Sequence, residues 1–249
     1  MTNSQGWLKA ELHAHCRLDP TDYRVCRFGP EQLISEAARL GYQVLAITCH
    51  NQDVWSKDLS EYADDLGITL IPGMEVSVLG SRHVLAYNFH TASTELNTIE
   101  KLRSRKREDN LVVAPHSFFP ARSCLRGLLL PNLDVFDAIE LSGFYTSRID
   151  FNRRAVSIAA RHGKPVVGNG DVHQLWQLGK TFTWIESAPG ILPVLRAIKQ
   201  GRVRVETAPL TLAEVAKFWA VTFWRSAVPA GRRPDDGYRI PQQAQLIDE

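Results

Sequence analysis

The chain has 249 residues, with 29 Lys plus Arg, 27 Asp plus Glu and a formal net charge of +2. Its hydrophobic content of 44% and charged content of 22% are typical of a globular protein, which excludes a disordered chain, a fibrous repeat and a coiled coil. The near-neutral balance gives no general attraction to nucleic acid or acidic membranes, so we expect neither as a partner.

Short apolar runs alternate with helical patterns along the chain. The predicted strands cover residues 10–15, 44–48, 69–71, 75–79, 83–88, 111–114, 138–141, 165–167 and 183–185. Helices are predicted from Pro30 to a stop at Gly41, over residues 149–162 before Gly163, and over residues 191–200 before Gly201. Strands that alternate with helices favour an α/β fold with a mostly parallel sheet.

The composition changes after about residue 218. Residues 229–249 are rich in Pro, Gly and polar side chains and are predicted to be a tail. Leu212, Val215, Ala216, Trp219 and Phe223 are predicted to line one face of a terminal helix that packs on the main domain. We therefore expect a main domain over residues 1–218, followed by a helix end and polar tail over residues 219–249.

Four Cys without paired spacing favour a reducing compartment over a disulfide scaffold. The first eight residues lack the apolar segment of a secretory signal, and no window of about 18 apolar residues predicts a membrane span. These features predict a cytoplasmic protein, and they leave the oligomeric state open.

Most of the eight histidines fall at the ends of predicted strands. His13 and His15 form an H-x-H pair, and residues two apart on a strand point to the same side. The other strand-end candidates are His50, Glu75, His83, His116, Asp171 and His173. Each one alone is most simply a surface or hydrogen-bonded residue. Together they favour a metal site, because strand ends converge on one rim and imidazole and carboxylate ligands suit Zn, Mn and Fe.

The motifs around these residues resemble those of the PHP family, named for polymerase and histidinol phosphatase. The matching segments are E-L-H-A-H (11–15), A-I-T-C-H-N (46–51), I-P-G-M-E-V-S (71–77), H-V-L-A-Y (83–87), A-P-H-S-F (114–118) and G-D-V-H (170–173). The resemblance implies a distorted (β/α)7 TIM-like barrel that holds two or three divalent ions and hydrolyses phosphoesters.

The resemblance also implies an assignment of ligands to three metals. His13, His15 and Asp171 would bind the first, and Glu75 would bridge it to a second held by His83 and His116. His50, His173 and an acid would hold the third. Asp19 is the expected acid and Asp22 the alternate, because the loop after His15 departs from the family's usual spacing.

A second departure is Cys49, which stands where the family usually has the Asp of T-D-H. A carboxylate beside a ligating imidazole orients it, and its loss can lower metal affinity or activity 10–100-fold. Cys49 is expected to be either a thiolate near the metals or a neutral packing residue. His90 and His162 fit no motif and are expected to be structural, and Glu140 is a candidate supporting residue at a strand end.

These residues predict a phosphoesterase acting on a small phosphomonoester, such as a nucleotide or sugar phosphate, by attack of metal-bridging hydroxide. Glu75, Asp171 and His173 are the expected catalytic residues. Arg17, Arg122 and Arg148 are candidate phosphate contacts, since guanidinium binds phosphate in a bidentate manner. A surface role is the simpler expectation for each arginine.

Two alternatives remain at this point. An amidohydrolase-like metallohydrolase also begins with H-x-H, although such enzymes often use a carbamylated Lys where this chain has Glu75. A catalytically weakened PHP regulatory domain gains some support from Cys49. A role beside a DNA polymerase is disfavoured, because the chain is too short to include one and its charge is nearly balanced.

Overall fold

The computed structural model describes residues 6–227. Within them lie ten strands: β1 (Gly6–Ala14), β2 (Val44–Ile47), β3 (Thr69–Ile71), β4 (Gly73–Val78), β5 (Arg82–Tyr87), β6 (Leu111–Ala114), β7 (Ala138–Ser142), β8 (Val166–Asn169), β9 (Thr181–Ser187) and β10 (Val203–Thr207). The α-helices of this part are α1 (Pro30–Arg39), α2 (Lys57–Asp65), α3 (Ile99–Arg105), α4 (Asn152–Arg161), α5 (Ile191–Lys199) and α6 (Leu212–Ala227). The predicted α/β class is confirmed.

The strands form two five-stranded sheets, in the orders β10-β9-β1-β2-β3 and β4-β5-β6-β7-β8. Within residues 6–227 no continuous ladder closes them into the predicted (β/α)7 barrel. The expectation of a mostly parallel sheet is also wrong: β9 runs antiparallel to both β1 and β10, and β5 runs antiparallel to both β4 and β6. The connection from β4 to β5 is too short for a helix, which accounts for the antiparallel pairing of those two strands.

Apolar side chains of both sheets pack together in one central cluster. Leu12 and Val44 of the first sheet meet Leu85, Val113 and Val167 of the second, and all are fully buried. The outer faces are covered by helices, with α1 and α2 on the first sheet and α3 and α4 on the second. Burying each such aliphatic side chain contributes about 1.5–3 kcal/mol, so this core holds the two sheets together.

Two isolated bridges join the sheets where the strands end. Ala14 at the end of β1 pairs with Val172, which follows β8, and His50 after β2 pairs with Glu75 in β4. Elsewhere β8 approaches β9 and β10 closely at Gly168, where a Cβ atom would clash with the Val205 side chain and would lie 3.2 Å from the Phe182 carbonyl oxygen. The bridges bring four segments that carry predicted ligands to one edge of the molecule.

The last described helix, α6, packs on the body through a different face from the predicted one. Leu212, Trp219 and Phe223 of the predicted face are 73%, 56% and 78% exposed. The helix instead turns Phe218 inward, where the ring lies 4.8 Å from that of Phe144. The predicted boundary at residue 218 lies within α6, and the predicted tail at 229–249 lies outside the described residues. The domain division therefore stays a prediction.

Within residues 6–227, no helix is long and apolar enough to cross a lipid bilayer. The expected cytoplasmic location stays an expectation.

Asp53 is the basis of a prediction about stability. Burial raises the pKa of its carboxyl to about 6, despite hydrogen bonds from the backbone N–H groups of Trp55 and Gly73 that lower it. Between about pH 4 and 6 the folded chain therefore retains a proton that the unfolded chain releases, so the free energy of unfolding falls as pH rises. We expect Asp53→Asn to remove this pH-dependent decrease in the free energy of unfolding. The variant should be about 1–2 kcal/mol more stable than the parent at pH 7.

Urea unfolding of both proteins at pH 4.5, 5.5 and 7 measures this difference, with Asp64→Asn as an exposed control. A stability difference between Asp53→Asn and the parent that is the same at all three pH values would contradict the expectation.

Candidate metal centre

The predicted ligands meet at the edge where the strands end. We call eight of them the ligand cluster: His13 in β1, His15 after it, His50 after β2, Glu75 in β4, His83 in β5, His116 after β6, and Asp171 and His173 after β8. Potential ligand atoms of seven of these residues and of Asp19 form groups of three within 4.8 Å of one another. The eighth, His173, places Nδ1 3.5 Å from Asp171 Oδ1. The convergence predicted from strand ends is therefore present in the structure.

The most informative group consists of His13, His15 and Asp171. The Nε2 atoms of the two imidazoles lie 3.3 and 3.4 Å from Asp171 Oδ1, and all three atoms are buried without a hydrogen-bond partner. Glu75 Oε2 lies 3.5 Å from each of the same two nitrogens. Ligand atoms about 2.1 Å from a tetrahedral ion are about 3.4 Å apart, so these four atoms fit a divalent cation.

Glu75 occupies the middle of the cluster. Its Oε1 lies 2.7 Å from His83 Nδ1 and 3.0 Å from His116 Nε2, and its Oε2 lies 3.1 Å from His50 Nε2. The residue is only 1% exposed. One oxygen faces the His13–His15 side and the other faces the His83–His116 side, which is the arrangement that a carboxylate bridging two metals requires.

Glu140 orients two members of the cluster. Its Oε1 lies 2.8 Å from His13 Nδ1 and accepts a hydrogen bond from Asn169, while its Oε2 accepts one from the backbone N–H of His116. This contact on the far nitrogen fixes the His13 ring so that Nε2 points into the cluster. These contacts agree with the expectation from the sequence that Glu140 supports the site rather than binding a metal itself.

Asp19 contacts the imidazoles from outside the cluster. Its Oδ2 lies 2.7 Å from His15 Nδ1 and 2.9 Å from His50 Nδ1, opposite the Nε2 atoms that face Glu75. The alternate acid, Asp22, places Oδ2 3.1 Å from His173 Nε2 and 3.6 Å from His50 Nδ1. Asp22 therefore faces both imidazoles predicted for a third metal, and Asp19 is placed to orient His15 and His50.

Two ligand positions have strained backbone. His116 has a φ of 26° and Asp171 a φ of 48°, values that residues with a Cβ atom seldom adopt. Such conformations persist where surrounding structure enforces them, and they are concentrated at functional sites. At both positions the strained backbone carries a side chain of the ligand cluster.

Imidazoles and carboxylates of the cluster stabilise each other's charged forms. Burial alone would lower the pKa of His13, but Asp171, Glu140 and Glu75 outweigh it and hold that pKa well above its usual range. Burial likewise opposes the ionisation of Glu75 and Asp171. The nearby imidazoles outweigh this effect and hold the pKa values of both carboxyls well below normal. Against burial, Asp171 and Asp22 raise the pKa of His173 to about 9. Metal binding would therefore displace protons from imidazoles that carry charge.

Cys49 is a packing residue rather than a thiolate ligand. Burial raises the pKa of its thiol well above normal, and it is fully buried in the core between the first sheet and α1. Its Sγ lies 3.6 Å from Cys16 Sγ. Since Asp19 contacts His50 Nδ1, the ring keeps a carboxylate partner although the family's usual Asp is replaced by Cys49.

His90 and His162, which match no motif, lie outside the cluster. His90 is exposed and contacts Asn88 through Nε2, and His162 caps the C-terminus of α4. Their predicted structural roles agree with these positions.

Sequence reasoning missed Glu11. It is fully buried, burial raises its pKa to about 8, and its carboxyl accepts hydrogen bonds from the backbone N–H groups of His13 and Gly170. It thereby ties the first ligand strand to the loop before Asp171. The signal was present, because a charged residue in a buried strand two positions before His13 needs a partner.

A cavity of about 530 Å³ opens over the cluster. Six cluster residues line it, together with aromatic side chains from the loops after β6 and β7 and from α6. Arg17, Arg122 and Arg148 are exposed and do not line it, so the structure gives no support to their predicted phosphate contacts.

Comparison with known proteins agrees with this geometry. A family model described as PHP-associated matches residues 150–203. A search of curated proteins finds no match.

Three solved structures share the fold at low sequence identity. PsfC from Pseudomonas syringae is 16% identical with a TM-score of 0.57, over 89% of this chain and 98% of that one. The lesion-specific endonuclease EndoQ from Pyrococcus furiosus is 16% identical with a TM-score of 0.55, over 93% and 74%. A proposed metal-dependent phosphoesterase from Bifidobacterium adolescentis is 15% identical with a TM-score of 0.52, over 77% and 94%. The predicted resemblance to the PHP family is confirmed.

Proposed function

We propose that this chain is a metal-dependent phosphoesterase that hydrolyses a small phosphomonoester. The observation that carries the proposal is the set of buried atoms without partners, His13 Nε2, His15 Nε2 and Asp171 Oδ1. A buried polar atom without a partner destabilises the fold by about 1–3 kcal/mol, so three that converge indicate a missing ligand. Imidazole nitrogens with a carboxylate oxygen are a donor set for Zn, Mn or Fe.

Ten residues would hold or orient the ions. His13, His15 and Asp171 would hold the first, Glu75 would bridge, and His83 and His116 would hold the second with His50 beside them. A third ion would involve His173 and Asp22, with Asp19 orienting His15 and His50. Bound divalent ions would neutralise phosphoryl oxygens and lower the pKa of a water toward about 7.

Residues of the chain would position the reacting groups. Asp171 lines the cavity with a side chain that is 24% exposed, so it can accept a hydrogen bond from an attacking water. His173 also lines the cavity, and its contact with Asp22 fixes the ring. With Glu75 at the base, these are the side chains that would meet the phosphoryl group, as the sequence predicts.

The two alternatives have less support. An amidohydrolase-like centre that uses a carbamylated Lys has no candidate, because no Lys of residues 6–227 lines the cavity and Glu75 occupies the bridging position. A weakened regulatory domain would be expected to lack parts of the cluster. Here seven of the eight residues form groups of potential ligands, and the His173 ring lies 4.4 Å from that of His15. Asp19 also contacts His50 Nδ1 in place of the usual Asp.

Metal removal and replacement test the proposal. Purified protein should contain Zn, Mn or Fe by elemental analysis and should release inorganic phosphate from members of a phosphomonoester panel. A chelator should abolish the release and the metal should restore it. His90→Ala, at a histidine outside the cluster, should match the parent. Metal-bound protein that cleaves cyclic amides but no phosphate ester would overturn the proposal.

A further inference from the structure

The cavity is much larger than a phosphoryl group. Its volume of about 530 Å³ is within the range of sites for drug-sized ligands, about 300–1,000 Å³. Six residues of the ligand cluster account for part of its lining. Most of the cavity must therefore accommodate the part of the substrate that does not react.

Aromatic side chains form much of the remaining wall. The Phe144 ring lies 4.8 Å from Phe218 and 6.0 Å from Trp219, and Phe119 lies 5.3 Å from Phe151. Phe218 also reaches the ligand cluster, with its ring 6.4 Å from that of His173. The aromatic wall thus begins beside the proposed metal site, where the group attached to the phosphate would lie.

The lining offers little to a highly polar substrate. Within residues 6–227 no Lys or Arg lines the cavity, so a second phosphate beyond the ligand cluster would meet neither an ammonium nor a guanidinium group. Two of the polar lining groups are already engaged: Gln177 accepts hydrogen bonds from the backbone N–H groups of His173 and Gln174, and the Ser142 hydroxyl accepts one from Phe144. The hydroxyls of a sugar phosphate would lose water and find few replacements.

Helix α6 is fixed over this wall by polar contacts along its length. At its start, Glu214 lies 2.8 Å from Lys180, and the backbone carbonyl of Phe218 accepts a hydrogen bond from Gln174. Toward its end, Arg225 donates to the carbonyl of Val25. The helix therefore holds Phe218 and Trp219 at the cavity, and Trp219 is 56% exposed.

We propose that the substrate is a phosphomonoester with one phosphate and an aromatic group, an aryl or arylalkyl phosphate, and that Phe218 and Trp219 select it. This inference rests on the proposed phosphoesterase function and specifies its substrate class. A flat apolar group would stack against these rings and bury surface that is now exposed to water. Aromatic side chains provide such contact area with few rotatable bonds.

Binding of two phosphonates to the metal-loaded protein tests the proposal by calorimetry. Both 1-naphthylmethylphosphonate and methylphosphonate present the same head group and resist hydrolysis. We expect the naphthyl compound to bind at least about 30-fold more tightly to the parent, given the apolar area that it buries. Phe218→Ala and Trp219→Ala should each weaken its binding about tenfold and change methylphosphonate binding less than about twofold.

Two further variants separate specificity from damage to α6. Phe223→Ala removes a ring that is 78% exposed on the same helix and does not line the cavity, so it should bind both compounds like the parent. Trp219→Phe keeps an aromatic ring and should recover most of the naphthyl affinity. Equal affinity of the parent for both phosphonates, or an equal effect of Phe223→Ala and Trp219→Ala, would overturn the proposal.

Turnover distinguishes this inference from the function on which it rests. We expect kcat/KM for 1-naphthyl phosphate to exceed that for glucose 6-phosphate at least about 100-fold, with Trp219→Ala raising KM more than it lowers kcat. Comparable hydrolysis of both would refute the aromatic substrate and leave the phosphoesterase intact. If neither is hydrolysed and a broad phosphate panel is also inert, the proposed function itself fails.

Discussion

Glu75→Gln is expected to remove at least one metal ion per chain and to lower kcat/KM about 10³-fold. Glu75 has five imidazoles within 3.5 Å, at His13, His15, His50, His83 and His116. The amide keeps the shape of the side chain and removes the negative charge that would join two cations. Losing one cation removes several kcal/mol of charge stabilisation in the transition state, and each 1.4 kcal/mol is tenfold in rate.

Elemental analysis and phosphate release measure the two effects together. Glu61→Gln, an exposed carboxylate on α2, is the matched control and should keep the metal content and activity of the parent. Circular dichroism should show the same secondary structure for both variants. Full metal content in Glu75→Gln with activity within fivefold of the parent would rule out Glu75 as the bridge.

Asp19→Asn is expected to lower metal affinity 10–100-fold without abolishing activity at saturating metal. The carboxylate contacts Nδ1 of His15 and His50 and also accepts hydrogen bonds from the backbone N–H groups of Thr21 and Asp22. An Asn side chain has one acceptor oxygen, so it must release either the imidazoles or the loop. Loss of a carboxylate that orients a metal-binding imidazole has an effect of this size.

Activity measured as a function of added metal separates the two roles that Asp19 can have. If it orients His15 and His50, a high metal concentration should restore most of the activity of Asp19→Asn. If it is itself a ligand of a third ion, the metal content should stay one ion short at any concentration. Unchanged affinity would exclude both roles. Asp58→Asn, an exposed substitution on α2, is the control.

The sequence predicted the candidate site better than it predicted the sheet. His13, His50, His116 and Asp171 converge as expected, because the strands that carry or precede them lie in the parallel parts of the two sheets. There β1 pairs with β2, and β7 pairs with β6 and β8, so their carboxyl ends share an edge. Strand direction depends on which strands pair, and this is decided by contacts far apart in the chain. The sequence did not predict the edge strand β10, because Arg204 and Glu206 interrupt the apolar run that is typical of a buried strand.

Loop and helix side chains were predicted less well for a related reason. Arg17, Arg122 and Arg148 follow motif residues in sequence, but the path of an irregular loop determines where its side chains point. On α6, periodicity indicated an apolar face with Trp219 and Phe223, whereas the anchors at its two ends turn Phe218 inward. Those anchors involve partners that are distant in sequence.

Anomalous diffraction from crystals of the Mn-loaded protein is the most direct test of the metal centre. We predict one anomalous peak within about 2.3 Å of His13 Nε2, His15 Nε2 and Asp171 Oδ1 and a second peak on the His83–His116 side of Glu75. Manganese bound only at other positions, with the three buried atoms engaged by protein groups or water, would contradict this prediction.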